Sequence, residues 1–210
     1  MTNFDRNEII KIFEETFGCK SIDPDSIPDI DLYVDQVTTF IENRLGSLKR
    51  NDEDKMLTKT MINNYTKEGI LFPPVLKKYT RNHMKMLIMI YYLKQVLSIN
   101  DIKAILKPLS DRIKSADEKD AKAGGKRVGE DSDHDFIDKM YETFIRFEEA
   151  EKNAFQADMA SMTEKIEGMD LEWQKPFQVL LLVVDLVLQA YMRKTMAEKL
   201  IDTYFTEEVE

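Results

Sequence analysis

Two adjacent prolines, Pro73 and Pro74, interrupt a stretch that otherwise reads as helical, and this break constrains the fold more than any other feature. Leu71-Phe72-Pro73-Pro74 cannot be helical, because proline lacks a backbone N–H and pushes the residue before it toward extended backbone. Before the break, a helix from Thr58 to about Lys67 opens on a hydroxyl that can cap backbone N–H groups. It closes at Gly69, a residue suited to the left-handed position just past a helix end. After the break comes the short basic run Lys77-Lys78-Tyr79, and then a helix predicted from Thr80 to about Leu97 with Leu87, Ile88, Tyr91, Val96 and Leu97 among its apolar positions. A third helix starts at Ser98, with Asp101 three residues on as a variant of the capping box, and is expected to stop at Pro108.

Charge singles out the same stretch. Between Lys55 and Pro108 there are ten Lys and Arg against two acids, Glu68 and Asp101, a net of +8. The whole chain carries 30 basic and 39 acidic residues, so the remainder holds 20 against 37, a net of −17. A basic module within an acidic chain suits a polyanionic partner, because Lys and Arg that neutralise phosphates release condensed counterions. The competing reading is a lysine-rich helix surface that is merely solvated.

The order of short helix, Gly69-Ile70-Leu71, Pro-Pro, basic turn, Tyr79-Thr80, apolar helix and Ser98-Ile99-x-Asp101-Ile102 resembles the winged helix-turn-helix of MerR-type transcription regulators. Tyr65-Thr66-Lys67-Glu68-Gly69-Ile70-Leu71 stands where that family ends its recognition helix in a Tyr-x-x-x-Gly-Leu-Leu-like run. Tyr79-Thr80 match the end of the family's wing and the cap of its next helix. LTKTMINNYTKEGILFPP and LKQVLSINDIKAIL look similar to an uncharacterised bacterial domain-of-unknown-function family that shares this module, over roughly Asp31 to Leu109. A position commonly Arg in MerR-type proteins is Asn63 here, Asn64 replaces the neighbouring aromatic, and Val75-Leu76-Lys77-Lys78 leaves only a clipped wing.

The resemblance implies a regulator of transcription that binds double-stranded DNA as a homodimer on two half-sites. The helix from Thr58 would enter the major groove, with Lys59, Thr60, Asn63 and Asn64 nearest the base edges. Lys67, Lys77, Lys78 and Arg81 would sit on phosphates, and Thr58 and Tyr79 complete the candidate DNA-binding set. An Asn amide can pair with N6 and N7 of adenine; Asn63 and Asn64 read equally as plain solvent-exposed helix residues.

Elsewhere the residues predict a mainly α chain. Residues 3 to 17 form an amphipathic helix with Phe4, Ile9, Ile10, Phe13 and Phe17 on one face, ended by Gly18. Asp31 is expected to cap a second helix that carries Val34, Val37, Phe40 and Ile41 inward and stops at Gly46, as the support helix of the module. The segment 47–56 is longer than the turn of a compact helix-turn-helix. Residues 115–135 hold no large apolar residue but Val128 and read as a flexible linker. The expected division is therefore a helix-turn-helix domain over 1–114, the linker, and a helical C-terminal bundle over 136–210 for dimerisation or sensing.

In that last region a long helix bears Ile137, Met140, Tyr141, Phe144, Phe147, Phe155, Met159, Met162 and Ile166, and stops near Gly168. A turn with Trp173 precedes Pro176, which fits the first position of the final helix. That helix, from Phe177 to Leu188, is apolar on nearly all sides but contains Asp185 and is too short for a membrane span. It sits centrally in a bundle, or is covered half by its own domain and half by a second subunit. Asp185 is a satisfied polar group beside Tyr191 or Arg193, or a ligand site. Met84, Met86, Met89, Met140, Met159, Met162 and Met192 either fill cores or line an adaptable pocket for a small-molecule effector.

Catalysis, a cofactor and a metal centre find no support in these residues. His83 and His134 are the only histidines, no Gly-rich phosphate loop occurs, and the single Cys19, read as buried or inert, excludes a multi-cysteine zinc site. The N-terminus lacks a basic region followed by an apolar core, so a cytoplasmic protein is expected. A degenerate winged helix used for protein docking, or a small-molecule sensor, remains the alternative to the DNA-binding reading.

Overall fold

The computed structural model describes residues 6–18, 21–51, 53–122, 133–167 and 176–205, and over them the chain is mainly helical. Seven helices are described: α1 (Arg6–Phe17), α2 (Val34–Leu45), α3 (Lys59–Lys67), α4 (Arg81–Leu93), α5 (Ile99–Lys122), α6 (Asp133–Glu167) and α7 (Pro176–Tyr204). Two short strands, β1 (Leu32–Tyr33) and β2 (Lys78–Tyr79), pair antiparallel with Leu32 opposite Tyr79. One compact unit comprises Ile22–Ile145 with Glu198–Glu210, and a smaller one comprises Met1–Ser21 with Arg146–Ala197.

In the larger unit, α4 is enclosed: each of its residues from 83 to 91 is buried, Met86, Leu87 and Ile90 completely. The helix begins where Thr80 and His83 cap each other, the Thr80 N–H donating to His83 Nδ1 at 3.0 Å. It ends at Leu93, four residues before the expected end, because residues 94–96 tighten into turns with Gln95 N–H on Tyr92 O and Val96 N–H on Leu93 O. Around α4 pack Val37, Ile41 and Leu45 of α2, Ile62 and Tyr65 of α3, and Ile102, Leu106 and Ile113 of α5, with Ile137 and Tyr141 of α6.

Local signals account for most boundaries. The Thr58 hydroxyl accepts the Met61 N–H at 3.2 Å and starts α3. At its other end Gly69 has φ +73°, the Ile70 N–H reaches back to Tyr65 O at 2.9 Å, and the Gly69 N–H reaches Thr66 O at 3.2 Å. This pair of reversed bonds closes a helix through a left-handed residue. Ser98 and Asp101 form the predicted reciprocal cap, with the Ser98 N–H on Asp101 Oδ2 at 3.1 Å and the Asp101 N–H on Ser98 Oγ at 3.2 Å.

Two expectations are corrected. The cap of α2 is Tyr33 instead of Asp31, because Leu32 and Tyr33 are drawn into β1; Gln36 Oε1 accepts the Tyr33 N–H at 2.9 Å. Pro108 does not stop α5, which runs on to Lys122. The proline deprives the Ala104 carbonyl of its partner, but buried Ile102, Leu106, Ser110 and Ile113 hold one face of the helix down on both sides of it. Residues 115–122 and 133–135 of the expected linker are consequently helical, and 123–132 lie outside the described residues.

α1 belongs to the smaller unit, where Phe13 and Phe17 pack against Phe155 of α6 at 5.6 and 5.9 Å between ring centroids. Among the described residues its core consists of Met159, Ile166 and Leu182, with Ile9, Phe155, Met162 and Leu186 against it. Among the described residues, the final helix is covered along one side. Leu182 is buried, yet Leu180, Val184, Val187 and Tyr191 on the opposite side are 44–65% exposed. Asp185 is satisfied by Gln189 one turn on, at 2.7 Å, while Arg193 pairs with Glu151. Cys19, Gly168 and Trp173 lie outside the described residues. No described helix is long and apolar enough to cross a membrane.

The two described interior glycines of the larger unit should respond oppositely to alanine. Gly69→Ala should cost about 1–2 kcal/mol, the penalty of a left-handed L-residue. Gly46→Ala should be neutral or stabilising by up to about 1 kcal/mol, because Gly46 is helical at φ −60° and a Cβ there would meet only Glu42 Oε1, at an ordinary contact distance of 3.9 Å. Urea-unfolding midpoints of the two variants check this.

Candidate nucleic-acid interface

α3 docks through Ile62 and Tyr65, both buried, and this fixes which of its residues face water. Lys59, Thr60, Asn63, Asn64 and Lys67 are all exposed and recur at the spacing of one helix face. The face carries two cations and two amides with no acid among them. Lys59 forms an exposed ion pair with Asp35 of α2, a contact that contributes little in water. Thr58 is half-buried and its hydroxyl is engaged by the Met61 N–H, so it caps the helix instead of projecting from it.

Beyond Gly69 the run Ile70-Leu71-Phe72 is buried, and the chain then turns back through a two-residue hairpin. Val75 and Lys78 exchange both backbone hydrogen bonds, at 3.1 and 2.9 Å, and Leu76 and Lys77 between them have φ of 49° and 65°. Positive φ at both central residues is the turn whose twist matches paired strands. The segment expected to be a clipped wing is a closed, minimal hairpin. Lys77 is exposed at its tip, and the Lys78 ammonium lies 5.6 Å over the Tyr33 ring.

Two residues of the predicted set are drawn away from the surface. Tyr79 is 3% exposed, with its ring edge-on to His83 at 5.4 Å; burial pushes its hydroxyl pKa up. Its side chain belongs to the core. Arg81 Nη2 donates to the Pro24 carbonyl at 2.5 Å and lies 3.5 Å from Asp25 Oδ1, which commits the guanidinium to the 3₁₀ turn Pro24–Ser26. Of the other cations counted in the basic stretch, Lys85 is buried on Asp138 at 2.6 Å. Lys103 holds Glu68 at 2.7 Å, and that hydrogen bond and charge lower the Glu68 pKa. Burial lowers the Lys94 pKa, with its ammonium 5.3 Å over Tyr91.

Sequence spacing missed one cation: Lys107 is exposed, and its methylenes pass over Gly69, 3.9 Å from where a Cβ there would stand. Lys107 follows α3 by forty positions and only the packing of α5 brings it to the end of that helix, so no local pattern could show it. The methionines are divided. Met84, Met86 and Met89 are in the core of the larger unit, Met159 and Met162 in the smaller one, and Met192 is exposed. A cavity of about 410 Å³ in the larger unit is lined instead by Asp29, Asp31, Asp138, Arg81 and the first turn of α4. Among the described residues no group of His, Cys, Asp and Glu has the geometry to hold a metal ion.

Residues 22–124, which lie within the larger unit and hold both α3 and the hairpin, match the model of DUF1836, a domain of unknown function. No curated protein and no solved structure matches the chain.

Arg81→Ala should lower stability by about 1 kcal/mol, the worth of an intramolecular hydrogen bond from a charged donor that is only partly enclosed. A denaturation curve identical to that of the parent chain would return Arg81 to the surface set.

Proposed function

We propose that the chain is a DNA-binding transcription regulator of MerR-like type, acting in the cytoplasm as a homodimer, with α3 in the major groove. The observation that carries this reading is the solvent face of α3. Lys59, Thr60, Asn63, Asn64 and Lys67 are exposed together on a helix rigidly docked by its other side. Side chains of this kind read base edges and phosphates, and a helix held by a packed scaffold delivers them in register. The order β1, α2, α3, hairpin, α4 supports the winged helix-turn-helix reading, and Lys77 and Lys78 on the hairpin with Lys107 beside Gly69 supply flanking positive charge.

The dimer is supported by α7. Its outer side is uncharged from Phe177 to Tyr191 apart from the inward Asp185–Gln189 pair, and Leu180, Val184, Val187, Leu188 and Tyr191 recur at intervals of about half a heptad. Those and the neighbouring apolar side chains, each roughly half exposed, present on the order of 1,000 Å², against the about 800 Å² per partner that a standard interface buries. An apolar seam without charges is self-complementary, as a twofold interface requires.

Binding to a random double-stranded DNA library at two salt concentrations tests the reading. Lys77→Ala should weaken binding to all sequences alike and reduce the slope against log salt by about 1. Asn63→Ala should change the preferred sequence, at about 1–3 kcal/mol for the affected base pair. A parent chain that retains no DNA at low salt would leave the other reading, a winged fold that docks protein, which the net −17 outside the basic stretch favours. The dimer is checked separately: Val184→Glu/Val187→Glu should sediment as a monomer with an unchanged helical spectrum, while the parent sediments as a dimer.

A further inference from the structure

The hairpin tip holds a leucine where the backbone disfavours one. Because Val75 and Lys78 exchange both hydrogen bonds, the two residues between them must adopt positive φ, and turns of this type are ordinarily built from Asn-Gly or Asp-Gly. Here the first position is Leu76, at φ 49°, where its Cβ crowds the following carbonyl oxygen. Packing does not compensate, for Leu76 is 88% exposed, more than any other large apolar residue described. Val75 beside it is also exposed, Lys77 follows at the tip, and Lys78 flanks the turn. Neither folding nor solubility gains from a leucine at this point, so its use lies in what it touches.

An apolar point followed by two cations, carried on a narrow hairpin closed by its own backbone bonds, has the make-up of a minor-groove wedge. Proteins of that kind set basic residues on the phosphates and push Leu, Ile, Phe or Pro between two base pairs, partly unstacking them and bending the duplex. We propose that Leu76 is such a wedge, entering the minor groove next to the stretch read by α3, with Lys77 and Lys78 on the flanking phosphates. The inference rests on the DNA-binding reading above and adds a sequence preference to it. The step opened by Leu76 should be pyrimidine–purine, since TA and CA steps unstack and kink most easily. Closed backbone bonds across the turn keep the wedge from folding away, so the strain at Leu76 is retained by the hairpin's own geometry.

The test uses the full chain and the single duplex that the parent enriches most from the random library, with bending read from end-to-end fluorescence transfer. Leu76→Gly should melt at a higher temperature than the parent, because the turn conformation suits glycine. It should nevertheless bind that duplex about tenfold more weakly, the effect of one lost base-step contact. It should also bend the duplex less and lose the preference for a pyrimidine–purine step at one position. Leu76→Asn should behave in the same way, and Leu76→Phe should keep the bend. Equal affinity and equal bending in Leu76→Gly would overturn the wedge and leave the DNA-binding reading intact. A uniform loss of affinity with the bend unchanged would overturn it too. If the parent retains no duplex at low salt, the DNA-binding reading and the wedge fall together.

Discussion

Everything in the larger unit depends on enclosing α4 without stranding a polar group. A helix buried on all sides gains from each Met, Leu and Ile it withdraws from water, about 1.5–3 kcal/mol per side chain, and loses on a comparable scale for each polar group left unmet. Two of the nine enclosed residues are polar. His83 accepts the Thr80 N–H on Nδ1, which leaves the ring proton on Nε2, 3.3 Å from the Pro73 carbonyl. Its ring lies against Phe72 at 4.0 Å between centroids. Lys85 places its ammonium on Asp138, 6.0 Å from the Tyr141 ring, and the Tyr141 hydroxyl donates to the Ile22 carbonyl at 2.8 Å. Each polar group inside thereby dictates what must stand outside it.

That requirement explains the position of the surfaces that carry the functional argument. The Pro-Pro break is held to α4 by the histidine, so the hairpin that follows it has a fixed root. Tyr79, packed edge-on to the same histidine, secures β2, and β2 pairs with β1 at the start of α2. α3 is locked from behind by Ile62 and Tyr65. What remains outside is the polar face of α3 and the two-residue tip of the hairpin. Neither contributes to the core, and both stand on elements that cannot shift without exposing it.

α4 and α7 show why apolar content does not predict burial. Both carry apolar runs in the sequence, and α7, which reads as apolar on nearly every side, holds the longer run of Leu and Val. α4 is enclosed because β1, α2, α3, α5 and the first turns of α6 converge on it. Among the described residues, α7 meets the core of the smaller unit along one side, through Leu182 and Leu186, and its other side is exposed. Periodicity reports what a helix has to bury and is silent on whether neighbours of the same chain suffice.

The sequence by itself determined the features whose partners lie within about six residues. These are the Thr58 cap, the left-handed closure at Gly69, the reciprocal cap of Ser98 and Asp101, the ends of helices at Gly18 and Gly46, and the break at Pro73 and Pro74. Each is a matter of backbone hydrogen bonds and steric limits on φ, which act wherever those residues occur. The exposed set on α3 was legible too, because apolar Ile62 and Tyr65 mark the opposite face. Tertiary structure alone decided that Tyr79 turns inward, that Arg81 answers Pro24 across 57 positions, and that Lys85 meets Asp138 across 53. It also decided that α5 runs through Pro108 and that Lys107 reaches Gly69. Those outcomes depend on which surfaces meet, and burial there outweighs local preference: a missing backbone bond is tolerated when a whole helix face is held down, and a lysine enters a core when a carboxylate waits at its edge.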